Sequence, residues 1–324
     1  MLWKYLSFAG IALAMATAPA LSQVKIALDS PADLENSGSY NWAHTFAEYL
    51  NANGIQTEEF ARGALGEEAE RLDQVSAGLL EISMSDVKSA GTLDPLIFGV
   101  ALPFLFESAE ELDKAVEEGG LLEKVNEGTT PKGVRVLAFT LIGRPAGIFN
   151  TQHPVATVSD MADLRMRALD QNQIKMFEAW KSAGTVVSWA EVPNALQTGV
   201  ADGYINAPFV PLIFGHTDFL KYFADLKIVP SARIAIASED WYQSLTDEER
   251  VVVDEGVRQA TAANRKWLEG RNTVLDALQA AGVEVVQPTA EARAEFEELS
   301  RALYSNGILT PEQVSIWVNA AERK

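Results

Sequence analysis

The chain has 324 residues, 48% of them hydrophobic and 22% charged, with a formal net charge of −19 and no cysteine. That length accommodates two domains, each with its own core. The negative charge repels nucleic acid and anionic lipid, so neither is expected as a partner, and the absence of thiols excludes disulfides, thiol catalysis and cysteine-held metals.

Residues 1–22 carry Lys4, then a short apolar core from Leu6 to Met15, then Ala20-Leu21-Ser22, with small residues at −3 and −1 before Gln23. This is the pattern of a cleaved secretory signal. The apolar core is shorter than the ~20 residues of a membrane span. Export to the periplasm is the expectation, and a retained N-terminal anchor is the competing reading.

"VKIALDS" reads as a strand and turn, and "SYNWAHTFAEYLNANG" as a helix with Trp42, Phe46, Tyr49 and Leu50 on one face and Gly54 as its stop. "EEAERLDQVSAG" is a second amphipathic helix with Leu72, Val75 and Leu79 in phase, and "LLEISMSD" alternates apolar and polar residues as a strand does. "VRVLAFTLIG" is a near-continuous apolar run, as in a strand covered on both faces. The later half repeats this alternation: "DLRMRAL" is a strand, "QNQIKMFEAWKSAG" a helix, "TVVSW" a strand, "AEVPNALQTG" a helix, and "KIVPSARIAIAS" extended chain. The pattern predicts an α/β fold with largely parallel sheets. From Thr246 a capping box with Glu249 opens a run without proline as far as Gly282. Unbroken, it would span roughly 50 Å at about 1.5 Å per residue, long enough to bridge two lobes. A last helix is capped by Thr310 with Pro311 and Gln313. No linker-like segment separates the halves, so the chain is expected to cross between lobes more than once.

Enzyme signatures are missing. There is no HExxH, GxSxG, GxxxxGK[ST] or GxGxxG, and His44, His153 and His216 lie far apart. Carboxylates that meet only in space leave an exported hydrolase as the enzymatic alternative; no catalytic residue, metal or cofactor is assigned. "DLRMRAL" raises a different question, because it sets Arg165 and Arg167 in a strand of an acidic chain. A buried guanidinium without a partner costs several kcal/mol. Arg167 therefore needs a partner; in so acidic a chain a protein carboxylate is the ordinary one, and the arginine's planar fork also suits a ligand carboxylate.

The stretch "SDMADLRMRALDQNQIKMFEAWKSAGTVVSWAEVPNALQTGVADGYINAP" resembles the central signature of the solute-binding proteins of tripartite ATP-independent periplasmic (TRAP) transporters, the DctP family. The matching parts are Asp163-Leu164, Met166-Arg167, Gly184, Trp189 to Val192, Ala195 to Gly199 and Ala201 to Gly203. "ALPFLFESAEE" and "SLTDEERVVVDEGVRQA" resemble flanking family segments in the same order. The resemblance implies a two-lobe periplasmic-binding-protein clamshell, with hinge strands and a long helix bridging both lobes. With it come a lobe I of 23–145 and 231–270 and a lobe II of 146–230 and 271–324.

The implied function is capture of a small organic acid in the periplasm, by a monomer that delivers it to the membrane subunits of a TRAP permease. A sensor that hands the solute signal to a membrane receptor is the alternative. By position in the motif, Arg167 would hold the solute carboxylate, Asn206 would hydrogen-bond the solute, and Trp189 would wall the pocket. Arg144 resembles a second family arginine, although Pro145 follows it, and Arg165 reads as structural. Asp29 and Asp86 stand at strand ends, where open α/β sheets place ligands, with a turn or cap role as the alternative. Trp42 reads as core or as a pocket wall. Tyr204-Ile205 depart from the family's polar pair, and Trp189 with Ile205 favours a compact or partly apolar carboxylate over a sugar acid with many hydroxyls.

Overall fold

In a computed structural model, which describes residues 23–322 except 107, 272, 306 and 308, two sheets organise the chain. The strands in chain order are β1 (Val24–Ala27), β2 (Thr57–Phe60), β3 (Ile82–Ser85), β4 (Val134–Leu141), β5 (Gly147–Asn150), β6 (Arg165–Ala168), β7 (Ala183–Val186), β8 (Gly203–Asn206), β9 (Tyr222–Ala224), β10 (Ala232–Ser238) and β11 (Glu284–Val286). Lobe I holds the sheet β2-β1-β3-β10-β4, and lobe II holds β11-β9-β5-β8-β6-β7. The secretory segment read from the sequence lies outside the described residues.

The sheets are mixed rather than largely parallel, and the departure has one cause. The chain passes from β4 to β5 through residues 142–146, and returns from β9 to β10 through 225–231. The two crossings run side by side in opposite directions: Ile142 N–H donates to Ser231 O at 2.9 Å, Ala146 N–H to Val229 O at 2.9 Å, and Ile228 N–H to Ala146 O at 2.8 Å. Strands that continue such a ribbon must pair antiparallel, as β4 does with β10 and β5 with β9. The β1–β2, β1–β3, β6–β7 and β6–β8 pairs away from the ribbon are parallel, as the strand–helix alternation predicts.

Apolar periodicity places most elements correctly. In the helix Gly38–Ala52, Trp42, Phe46 and Leu50 are fully buried against Ile82 and Met84 of β3. In the helix Glu68–Ser76, Leu72 and Val75 are buried, but Leu79 falls beyond the helix and is 65% exposed. β3 does alternate, yet Ser83 and Ser85 are buried too. Their side of the sheet is covered, and there Ser83 Oγ accepts from the buried Arg71 Nε at 3.1 Å. β4 is buried on both faces although it lies at a sheet edge. Side chains close that edge: Asn126 bonds both Val136 N–H and Val136 O, and Arg265 donates to Phe139 O. An edge satisfied in this way offers little to a foreign strand.

The long helix starts at its predicted box, with Thr246 and Glu249 capping each other, but ends at Glu269 rather than running to Gly282. At about 1.5 Å per residue it spans roughly 35 Å. Gly270 caps it, and the next helix is Val274–Ala280. The long helix packs on the helix Gly38–Ala52 and on β4, both in lobe I, and its C-terminal end reaches lobe II, where Trp267 meets Phe209 edge-on at 6.4 Å. The expected boundary also moves at the C-terminus. The helix Ala290–Arg301 belongs to lobe II, where Phe296 packs on Trp180. The last helix, Pro311–Ala321, returns to lobe I. Its Trp317 is fully buried against Phe106 and Phe139 and donates from Nε1 to Leu96 O at 2.7 Å. An amphipathic pattern specifies a buried face but not which core receives it.

Asn264 ties this lobe together. It is fully buried, its Oδ1 accepts from Leu141 N–H at 3.0 Å, and its Nδ2 donates to Gly38 O at 2.8 Å and Leu141 O at 2.9 Å. Asn264→Ala strands three buried backbone groups and is expected to destabilise the protein by about 2–4 kcal/mol. Urea unfolding measures this, and a loss below about 0.5 kcal/mol, the scale of a surface substitution, would contradict it.

Candidate functional site

Two arginines on β6 meet different fates. Arg165 is paired within the protein: its Nε and Nη2 each reach an oxygen of Asp202 at 3.0 Å, and its own N–H donates to Asp202 Oδ2 at 2.8 Å. Arg167 is only 6% exposed, and its Nε donates to Val187 O at 2.9 Å. Among the described residues no carboxylate stands within ion-pair distance of it. Burial acts to lower its pKa, and Asp86, Tyr204, Asp170 and Glu68 oppose that. A guanidinium remains charged under such conditions, so a cation is held at the lobe boundary with its Nη fork uncommitted.

Trp189 stands beside it, with the Arg167 Cζ 5.7 Å from the indole ring. The indole is half-buried and rests on Phe214 and His216 at 5.2 Å each and on Tyr204 at 5.8 Å. Behind it Tyr204 Oη and His216 Nδ1 hydrogen-bond at 3.0 Å. Burial pushes His216 down to about 4 and Tyr204 well above its ordinary value. Both are neutral at pH 7, so this backing adds no charge near Arg167. Asn206 ends β8, half-buried, with Oδ1 accepting from Ala207 N–H at 2.9 Å. Its Nδ2 donates to no described residue. Ile205 points away from Tyr204, into the lobe II core beside Met166 and Met176, so it does not wall the space at Arg167.

Lobe I contributes acids. Asp86 follows β3 and caps the helix Val87–Gly91, accepting from Ser89 N–H at 2.6 Å. Burial acts to raise its carboxyl, but the hydrogen bond with Glu68, the Arg233 charge and the Ser89 contacts hold it at about 2. Burial pushes Glu68 up to about 8; Arg233 opposes this, and Asp86 reinforces it. The two carboxyls share one proton, held on Glu68. Asp29, after β1, accepts from Ser39 Oγ at 2.6 Å and from Arg233 Nε, and Arg233 also pairs with Glu68. Asp29 therefore enters the cluster through Arg233.

The structure thus sets Trp189 beside Arg167, with Asn206 at the end of the adjacent strand β8, and puts Asp86 and Asp29 just past the ends of the paired strands β3 and β1 in lobe I. Two residues singled out from the sequence lie elsewhere. Arg144 sits on the crossing segment with Nη2 on Asp225 Oδ2 at 3.1 Å. It faces a separate cavity of about 190 Å³, lined by Glu35, Asn36, Phe209, Trp267 and Arg271 among others, and neither Arg167 nor Trp189 borders it. Trp42 is core and not a pocket wall, being fully buried, stacked on Phe46 and bonded to Thr261 Oγ1 at 3.0 Å. Glu68, Arg71 and Arg233 were missed. Arg233 carried a legible signal, since it interrupts the apolar run "ARIAIAS" just as Arg167 interrupts its own strand. Among the described residues no group of three or more His, Cys, Asp or Glu is arranged to hold a metal.

Residues 27–309 match the model of bacterial extracellular solute-binding protein family 7, DctP. The chain belongs to that family. Over 97% of its length it is 26% identical to the ectoine/5-hydroxyectoine-binding periplasmic protein UehA of Ruegeria pomeroyi, covering 87% of that protein. It is also 26% identical over 85% of its length to the C4-dicarboxylate-binding periplasmic protein DctP of Rhodobacter capsulatus, covering 81% of it. A TRAP periplasmic solute-binding protein of Xanthobacter autotrophicus Py2, solved with bound β-D-galacturonate, superposes with a TM-score of 0.82 at 21% identity, covering 93% of this chain and all of that one. That likeness establishes the clamshell fold.

The shared proton makes stability depend on pH. Glu68 binds more protons folded than unfolded between its ordinary value of 4.5 and about 8. Its contribution therefore declines as pH rises through that window. Asp86, held at about 2 against an ordinary 3.8, contributes above 3.8 and loses that contribution as pH falls below it. Urea midpoints at pH 5.5 and 8.5 should show wild type losing stability relative to Glu68→Gln as pH rises. Parallel midpoints for the two proteins would contradict the shared proton.

Proposed function

We propose that this solute-binding protein works in the periplasm, captures a small organic acid between its lobes, and presents it to a TRAP-type membrane permease. Arg167 holds the solute carboxylate, Trp189 walls the space beside it, and Asn206 offers its amide nitrogen from the end of β8. The observation that carries this reading is the uncommitted fork of Arg167, 6% exposed, two residues from an arginine that does have its carboxylate. The named ligands of relatives, among them ectoine, C4-dicarboxylates and sialic acid, support a carboxylate-bearing solute. The two antiparallel crossings supply a narrow hinge about which lobes can close on it.

An organic-acid library screened by thermal shift supplies a binding acid, and calorimetry then measures three variants. Truncating one partner of a buried charge pair costs about 2–5 kcal/mol, so Arg167→Ala is expected to weaken binding roughly 30- to 4,000-fold. Arg167→Lys recovers little, because a point charge does not reproduce the fork. Arg165→Ala retains binding. Undiminished affinity in a folded Arg167→Ala would refute the clamp.

A further inference from the structure

A second guanidinium is left without a carboxylate, and it borders the hinge cavity of about 190 Å³ rather than the space at Arg167. Lobe I supplies Trp267, at the end of the long helix, and Glu35; lobe II supplies Phe209, Leu212 and Ile213. Trp267 Nε1 donates to Leu34 O at 3.0 Å and to Glu35 O at 3.2 Å, which fixes the indole as a wall. Four residues on, the half-buried Arg271 lays its guanidinium over that ring, with Cζ 4.6 Å from the centroid. Among the described residues no carboxylate stands within ion-pair distance of Arg271.

The charges at this cavity decide what it can hold. Arg144 also borders it but is already engaged, with Nη2 on Asp225 Oδ2 at 3.1 Å. Arg144 Nε and Arg271 Nε are covered by protein and find no acceptor, and Asp225 Oδ1 finds no donor. Unpaired donors of this kind favour an acceptor nearby. Glu35 is the carboxylate on the lining, and it is exposed. Asp33, whose carboxylate feels the Arg271 charge, is occupied by Glu35 N–H and Asn36 N–H at 2.9 Å each. The cavity therefore offers one uncommitted cation, enough for one negative charge, and a second would stand against Glu35 and Asp225. Phe209, Leu212 and Ile213 give the bearer of that charge an apolar wall. We propose that this cavity is a second binding site, for a small monocarboxylate with a compact apolar body, its carboxylate on Arg271 and its body against Phe209, Leu212 and Ile213.

Nothing in this site depends on Arg167, so the test is made in Arg167→Ala, which removes the clamp. Calorimetry on that variant compares two apolar-bodied monoacids, isovalerate and benzoate, with succinate and inorganic phosphate. The better monoacid is expected to bind at least about ten-fold tighter than succinate or phosphate. Adding Arg271→Ala should weaken it by at least about ten-fold, with circular dichroism confirming the fold. Ala277 is an exposed position of the helix Val274–Ala280 on the cavity wall, so Ala277→Trp fills the space without disturbing a core. It should cause a similar loss, and it decides the matter if Arg271→Ala does not fold. No binding of either monoacid, or a monoacid affinity unchanged by Arg271→Ala, would overturn the site. Tighter binding of succinate or phosphate would overturn the ligand class. The clamp fails on a different result, a library acid held equally well by wild type and Arg167→Ala.

Discussion

A buried guanidinium that the protein itself does not neutralise is the constraint on which the rest of this structure depends. Arg167 has given up most of its hydration, and only its Nε has a protein acceptor. Leaving a charge in that state costs several kcal/mol, which the packed lobes supply. The neighbouring Arg165 shows what the same strand does when an arginine serves the fold alone: it receives Asp202 in a two-point contact. The difference lies in what each side chain is left able to hold.

The surrounding architecture keeps that charge in place and prevents its neutralisation. Tyr204, His216 and Phe214 back Trp189 with an uncharged aromatic cluster. Asp29 and Glu68, the acids that might answer Arg167, are engaged by Arg233, and Glu68 keeps a proton that it shares with Asp86. The paired crossings at 142–146 and 225–231 fix where the lobes meet, so that Val87, past the end of β3, and Leu169 and Asp170, past the end of β6, line one cavity. Affinity in such a fold comes from enclosing a solute between surfaces prepared on both sides.

Much of this was legible in the sequence. Residues that must be buried announce themselves, which is why the helix at Trp42, the strand β4 and the caps at Thr246 and Thr310 were readable. Arg167 was readable for the complementary reason, as a charge in a strand that had to be buried. Strand direction was not readable, because β5 and β10 take theirs from hydrogen bonds between segments more than eighty residues apart, such as Ile142 with Ser231. The destination of the last helix was hidden because Trp317 would fill either core. Trp42 was overread, since an aromatic in phase with Phe46 and Leu50 needs only a core. Arg233 was underread: its strand looked like extended chain, and the acids that engage it, Asp29 and Glu68, lie more than 160 residues away in sequence.

The most direct measurement is a crystal structure of the protein purified with the solute it carries from its own cells. The expected result is a carboxylate between the lobes with its two oxygens about 2.7–2.9 Å from the two Nη atoms of Arg167, the length of a charge-assisted pair. A solute whose carboxylate lies elsewhere in the cleft, with Arg167 turned onto a carboxylate of the protein, would contradict it.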